Sequence, residues 1–205
     1  MDSNLSLIGS AILGSIFLLG LMRFYMGVTD YTHEQTFQLF TQQNATVMMQ
    51  IVEDDVRKMG SGVAAVGNSI GAFPDSANIT FKADIDGNGT ADNVQYYISP
   101  TSAASMTPNP NDRFLIRDIN SGASIDSLLG VSEFCVELQN QWGQKIVTGT
   151  TQAGRDSTWI VKIKMIVVSP HPYTQDEVDG PVYTRSFAEK TIMPKNLFRF
   201  TANNL

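Results

Sequence analysis

Cysteine is all but missing from this chain: Cys135 is the only one in 205 residues. A single thiol excludes an internal disulfide and any zinc site built on cysteines. Its place in the alternating run Val131–Leu138 makes it a packing residue, expected to be buried. Histidine is nearly as scarce, with only His33 and His171. No Ser-His-Asp ordering, paired-carboxylate signature or phosphate-cradling loop stands out, and Gly60-Ser61-Gly62 reads as a helix stop. The expectation is therefore a protein that is not an enzyme. Lys and Arg number 14 against 20 Asp and Glu, giving a net charge of −6, and the basic residues are scattered. Nucleic acid, which needs a basic face, is not an expected partner.

Two further absences coincide at the start of the chain. No charged residue occurs from Ser3 to Met22, and no proline occurs before Pro74. Twenty helical residues rise about 30 Å, the thickness of a bilayer's hydrocarbon core. Only Asp2 precedes the apolar stretch, so the basic region of a cleaved secretory signal is lacking and the segment is expected to be retained. Its large side chains include Leu5, Leu7, Ile8, Ile12, Leu13, Ile16, Phe17, Leu18, Leu19, Leu21 and Met22. Leaving them all in water costs on the order of 15–30 kcal/mol, so lipid, detergent or other subunits must cover them. Ser6, Ser10 and Gly14 recur every fourth position. Such a small-residue stripe lets helix backbones approach closely, and Leu13 and Phe17 are the knobs expected to fill a neighbour's surface.

From Thr29 the helical pattern continues but turns amphipathic. Phe37, Phe40, Val47, Met48, Ile51, Val52, Val56 and Met59 form the apolar stripe. Gln42, Gln43, Glu53, Asp54 and Lys58 lie on the opposite side. The division is thus 1–28 as a membrane-spanning or filament-core helix, 29–60 as its amphipathic continuation, and 61–205 as a globular head. Beyond Gly60 the period changes to two. Strands are expected over Ile79–Ala83, Asn93–Ile98, Arg113–Ile119, Val131–Leu138, Trp159–Val168 and Val182–Met193, with a short helical turn at Leu128-Leu129. Trp142 falls in an expected turn and Trp159 on the sheet. Short loops between strands make the sheet mainly antiparallel. With one face on the long helix, the fold class is α+β.

One loop carries candidate metal ligands. Asp84, Asp86, Asn88 and Asp92 form D-x-D-x-N-G-x-x-D, placing oxygen ligands on alternate residues of a tight turn, as in a calcium loop. Position twelve is Gln95 instead of a bidentate glutamate, and strands flank the loop, so it is not an EF-hand. Two readings stay open: a Ca²⁺ site of millimolar-range affinity, or a hairpin whose acids are merely solvated.

The segment Val52-Glu53-Asp54-Asp55-Val56-Arg57-Lys58-Met59-Gly60, following Asp30-Tyr31 and a Gln-rich helix, resembles the end of the N-terminal helix in minor type IV pilins of the PilW-like group. Minor pseudopilins of type II secretion have a similar helix end. The run from Phe81 through Asp84-Ile85-Asp86-Gly87-Asn88-Gly89 to Tyr97 resembles the Asp/Gly hairpin of that group. Gly130-Val131-Ser132-Glu133-Phe134 and the tail Ile192-Met193-Pro194-Lys195-Asn196-Leu197 are similar to family features in the same order. One departure is that Leu5 stands at the fifth position, where the family's mature chains carry a glutamate.

The resemblance implies a structural subunit of a pilus-like or pseudopilus filament. Its partners would be other pilin-like subunits, an inner-membrane assembly platform and a motor ATPase. It further implies a single pass through a bacterial inner membrane, N-terminus in the cytoplasm, before transfer to a cell-surface filament. The alternative is a single-pass, membrane-tethered binding protein or adhesin that never polymerises.

Overall fold

A computed structural model describes residues 2–63, 68–73, 75–122, 124–147, 149–176 and 180–198. The first element, α1 (Asp2–Lys58), is one unbroken helix of 57 residues, about 85 Å long at 1.5 Å per residue. Nothing in its sequence breaks it. The hydroxyls of Ser10, Ser15, Thr29, Thr32 and Thr36 fold back onto carbonyls three or four residues earlier, at 2.7–2.9 Å. Those side chains therefore need no outside partner. The helix stops where Gly60 adopts φ of 84°, a left-handed conformation that glycine reaches without Cβ strain. Ser61 N then donates to Lys58 O at 2.8 Å, and Gly60 N donates to Lys82 O at 2.8 Å.

Ten strands follow. β1 (Asn78–Ala83), β2 (Asp92–Ile98), β3 (Phe114–Ile119) and β4 (Ser124–Leu129) form one four-stranded sheet in that order. The second sheet uses β5 (Val131–Gln139), β6 (Lys145–Ile146), β7 (Ile160–Val168) and β10 (Arg185–Ile192) in the order β10-β7-β5-β6. β8 (Thr174–Asp176) and β9 (Gly180–Val182) make a small separate hairpin. Every named pairing is antiparallel. Among the described residues the head also has a 3-10 turn (Thr101–Ala104) and two short α-helices, α2 (Gln152–Asp156) and α3 (Lys195–Phe198). Neither was expected. The Thr151 hydroxyl caps α2 by accepting from Gly154 N, supporting a turn too short to leave a periodicity signal.

The helix packs along β10 and β7, and together with both sheets it closes one core. Phe81, Val94, Tyr96, Leu115, Leu138, Ile163 and Met165 are fully enclosed there. The rings of Phe81 and Tyr96 stack with centroids 6.3 Å apart. This is the α+β arrangement expected of the sequence, a long N-terminal helix on a mainly antiparallel β head. The head divides its strands between two four-stranded sheets.

Several boundaries differ from expectation. Leu128-Leu129 is strand, because Leu128 pairs with Leu115 and Leu129 with Phe114; cross-strand partners override a local helical pattern. The Val182–Met193 run splits, since its start pairs with β8 while Arg185–Ile192 pairs with β7. Phe40 and Val47 are 59% and 57% exposed, whereas Thr41, Ala45, Met48, Met49, Val52, Val56 and Met59 are buried. The helix has turned so that its small side chains meet the sheet. The Thr41 and Thr184 hydroxyls hydrogen-bond at 3.0 Å, and bulk at position 41 or 45 would hold the sheet off. Cys135 is half-buried, because Phe134, Val136 and Leu138 occupy the core and the strand's pleat turns residue 135 to the other face. Trp142 is 74% exposed, in agreement with its place in a turn.

Candidate functional site

The most unusual surface of the molecule is the first two-thirds of α1. Among the described residues, no side chain of the helix before Thr41 is buried. Leu7, Leu13, Phe17, Phe24 and Tyr25 are each 69–72% exposed. A soluble monomer does not present so long an apolar surface. The helix is long and apolar enough to cross a membrane. Ser6, Ser10, Leu13, Gly14 and Phe17 advance by three and four residues, so at 100° per residue they share one face. A Cβ placed on Gly14 meets nothing within 4 Å. Within a single subunit, therefore, the absence of a side chain at position 14 serves no packing purpose.

The acidic loop lies at the junction of α1 and the β1–β2 hairpin. Single ligand oxygens of Asp84, Asp86 and Asp92 lie within 4.8 Å of one another. Asp84 accepts from the amides of Gly87 and Gly89 at 2.8 and 2.9 Å. Asp86 accepts from Asn88 N at 3.1 Å and from Asn88 Nδ2 at 2.8 Å. Asn88 Oδ1 accepts from Thr90 N, and Asp92 accepts from Ile85 N and Asn120 Nδ2. The structure thus brings the four expected residues into one loop, and the loop's own amides already hold them there. Its oxygens suit a hard cation. The loop is tied to the helix end by Lys58 Nζ, which donates to Ile85 O at 2.8 Å. Gly62 completes the junction: a Cβ there would stand 2.8 Å from Ala91 N, closer than atoms tolerate.

A third constellation was not singled out in the sequence. Asp55, 5% exposed, faces inward from α1. It accepts from Tyr96 Oη at 2.6 Å, from Arg117 Nε at 2.6 Å and from Arg117 Nη2 at 3.1 Å. Burial, reinforced by the Asp55 carboxylate, pushes the Tyr96 phenol far above its ordinary value, so it remains a donor at any physiological pH. This pair joins the helix to the β1–β4 sheet beneath it. The signal was available: Asp55 follows Ile51 by four residues and precedes Met59 by four, squarely on the apolar stripe. Arg117 follows Leu115 by two, which puts it on the core side of β3.

A weaker set of charges ties the helix to the other sheet. Glu53 pairs with Arg57 at 2.5 Å and with Lys190 of β10 at 3.3 Å. The hydrogen bond from Arg57 is the main reason its carboxyl lies below the usual glutamate value of 4.5. Burial pushes Glu137 upward, but Lys145 and Lys164 together outweigh it and leave that carboxyl lowered as well. His33 and His171 are both exposed, on α1 and on the loop after β7.

Comparison with protein-family models, with curated proteins and with solved structures finds no match.

Proposed function

We propose that this chain is a structural subunit of a pilus-like or pseudopilus filament, held by its apolar half-helix in the inner membrane until it is packed laterally against other such subunits. The observation that carries this reading is the rigid, unpartnered helix ahead of the head. About 58 Å of it precedes the first buried side chain, Thr41. Flexible tethers do not need to be a continuous helix that runs into the domain's core. A filament does, because the helix must hold the head at a fixed height and angle. The self-satisfied hydroxyls of Ser10 and Ser15 suit a segment that stays in an apolar medium before and after assembly. Moving from lipid to a helical bundle gains little hydrophobic energy. Assembly therefore calls for external work, in keeping with the motor ATPase and membrane platform that the family resemblance implies. After assembly the β head faces outward at the cell surface.

The test is to express the full chain in a bacterium with a pilus-type assembly system, shear the surface and examine the material by electron microscopy and mass spectrometry. The chain is expected in filaments. Recovery solely as detergent-soluble monomer would overturn the proposal in favour of a membrane-tethered adhesin.

Within this reading, the acidic loop is proposed to hold Ca²⁺ weakly once the head is outside the cell. Asp84, Asp86, Asn88 and Asp92 supply the ligands, and the ion would relieve carboxylates that crowd one another. Millimolar Ca²⁺ should raise the melting temperature of the full chain in detergent by a few degrees, the shift of about 1 kcal/mol of added stability. Asp84→Asn combined with Asp86→Asn should abolish that rise. An unchanged melting temperature in the unsubstituted chain would leave the loop as a hairpin stitched only by its amides.

A further inference from the structure

A cleft of about 550 Å³ opens on the head at the seam between the two sheets; its Tyr183 and Arg185 also border a groove lined by Glu34, Gln38 and Gln42 of α1. Its walls come from the turn before β1, the loop before β3, the start of β5 and the start of β10. The volume falls within the range of small-molecule sites. Arg113, Arg185 and Glu133 all line it. None of the three makes a side-chain hydrogen bond or ion pair among the described residues, although elsewhere on the head lysines and arginines pair with acids. Arg113 Nε is buried with no hydrogen-bond partner. A buried guanidinium N–H without an acceptor is costly, and a native structure that keeps one calls for an explanation.

The wall that presents Arg113 is fixed. Asn109 is 3% exposed, and its Nδ2 donates to Ser169 O at 3.0 Å and to Asp112 Oδ1 at 3.4 Å. Asn109 Oδ1 accepts from Asn111 N at 3.0 Å. The loop before β3 is thereby pinned to the end of β7, and Arg113 is held at the cleft instead of sweeping through solvent. Arg185 arrives from the opposite side as the first residue of β10.

We infer that this cleft binds a small hydroxylated carboxylate of the sugar-acid type. Among the side chains that line the cleft, two guanidinium groups stand against one carboxylate, which favours a ligand of net negative charge. The planar fork of a guanidinium matches a carboxylate with two parallel hydrogen bonds. Glu133, free of any cation, is an acceptor suited to hydroxyl donors. Ser76 and Asn111 add neutral polar groups, and Phe134 supplies an apolar edge for the ligand's C–H face. A zwitterionic amino acid would answer Glu133 and one arginine but leave the second guanidinium unmatched.

The test uses the full chain in a polyoxyethylene detergent, whose head group bears neither carboxylate nor sugar. Glucuronate, glucose, alanine and sulfate are titrated separately by calorimetry. Glucuronate is expected to bind saturably and glucose at least about tenfold more weakly, the fold-change that loss of one charge-assisted hydrogen-bonding group brings. Arg113→Gln and Arg185→Gln should each weaken glucuronate by about the same factor. Neither arginine side chain bonds to another of the described residues, and far-UV circular dichroism checks that each variant stays folded. Arg113→Lys, which keeps charge but loses the fork, should fall between the unsubstituted chain and Arg113→Gln. No saturable binding of glucuronate would overturn the inference. So would binding unchanged in both glutamine variants, or alanine or sulfate binding as tightly as glucuronate.

Discussion

Asp55→Leu will remove a large part of the stability of the head. The substitution takes the buried Asp55 carboxylate away from the charged Arg117, and it strips the Tyr96 hydroxyl of its partner. Side-chain exposure in this pair is 14% for the arginine and 6% for the aspartate, so water reaches neither well. Removing one member of a buried pair costs about 3–5 kcal/mol, against a total of roughly 5–15 kcal/mol for a domain. Tyr96→Phe removes a single hydrogen bond and should cost about 1–2 kcal/mol. The combination Asp55→Leu with Arg117→Met takes away both charges. It should recover much of the loss, because a buried pair is rarely better than well-packed apolar residues of similar size. Urea unfolding of the full chain in non-ionic detergent, followed by tyrosine and tryptophan fluorescence, measures all three. If Asp55→Leu unfolds at the same urea concentration as the unsubstituted chain, the pair does not hold helix to sheet.

Gly14→Leu is expected to abolish filaments while leaving the subunit itself untouched. The empty space around Gly14 means the isolated chain has room for the new side chain. Leucine also favours helix over glycine by nearly 1 kcal/mol, so insertion into the membrane should be unimpaired. In a filament the same side chain stands where two backbones approach. Overpacking costs about 1–3 kcal/mol at one contact, and a polymer repeats that contact at every subunit. Equal amounts of membrane-inserted protein with no sheared filaments would be the signature of the proposed packing. A normal filament yield from the variant would show that this face of the helix does not meet a neighbour. Ser10→Leu, on the same face, should behave alike.

The two substitutions probe the two halves of one helix, and the halves differ in how legible they were. In the first half every relevant property is local: no charge from Ser3 to Met22, no proline, small residues at fixed spacing. Those properties dictate a helix and its need for an apolar medium whatever follows. In the second half the decisive facts are relational. Two apolar stripes run along residues 37–59, one through Phe40 and Val47 and one through Thr41, Ala45 and Met49. Hydrophobicity ranks the first above the second, yet the sheet packs on the second. Close approach of helix to strand rewards small side chains, and only the partner surface shows how close that approach is.

The acidic loop was readable because its four side chains bond to their own neighbours in sequence, mostly within a few residues. The Arg113–Arg185 cleft was not, because its two arginines lie more than seventy positions apart in the chain. What the sequence alone determined is the long helix, its oily start, the switch to period-two patterning after Gly60 and the hairpin around Asp84–Asp92, all consequences of short-range backbone and side-chain chemistry. Tertiary structure decided the division of the strands into two sheets, the burial of Asp55 against Arg117 and the placing of Arg113 and Arg185 on one cleft. Strand partners and buried charges are chosen by what lies opposite in space, which no local pattern records.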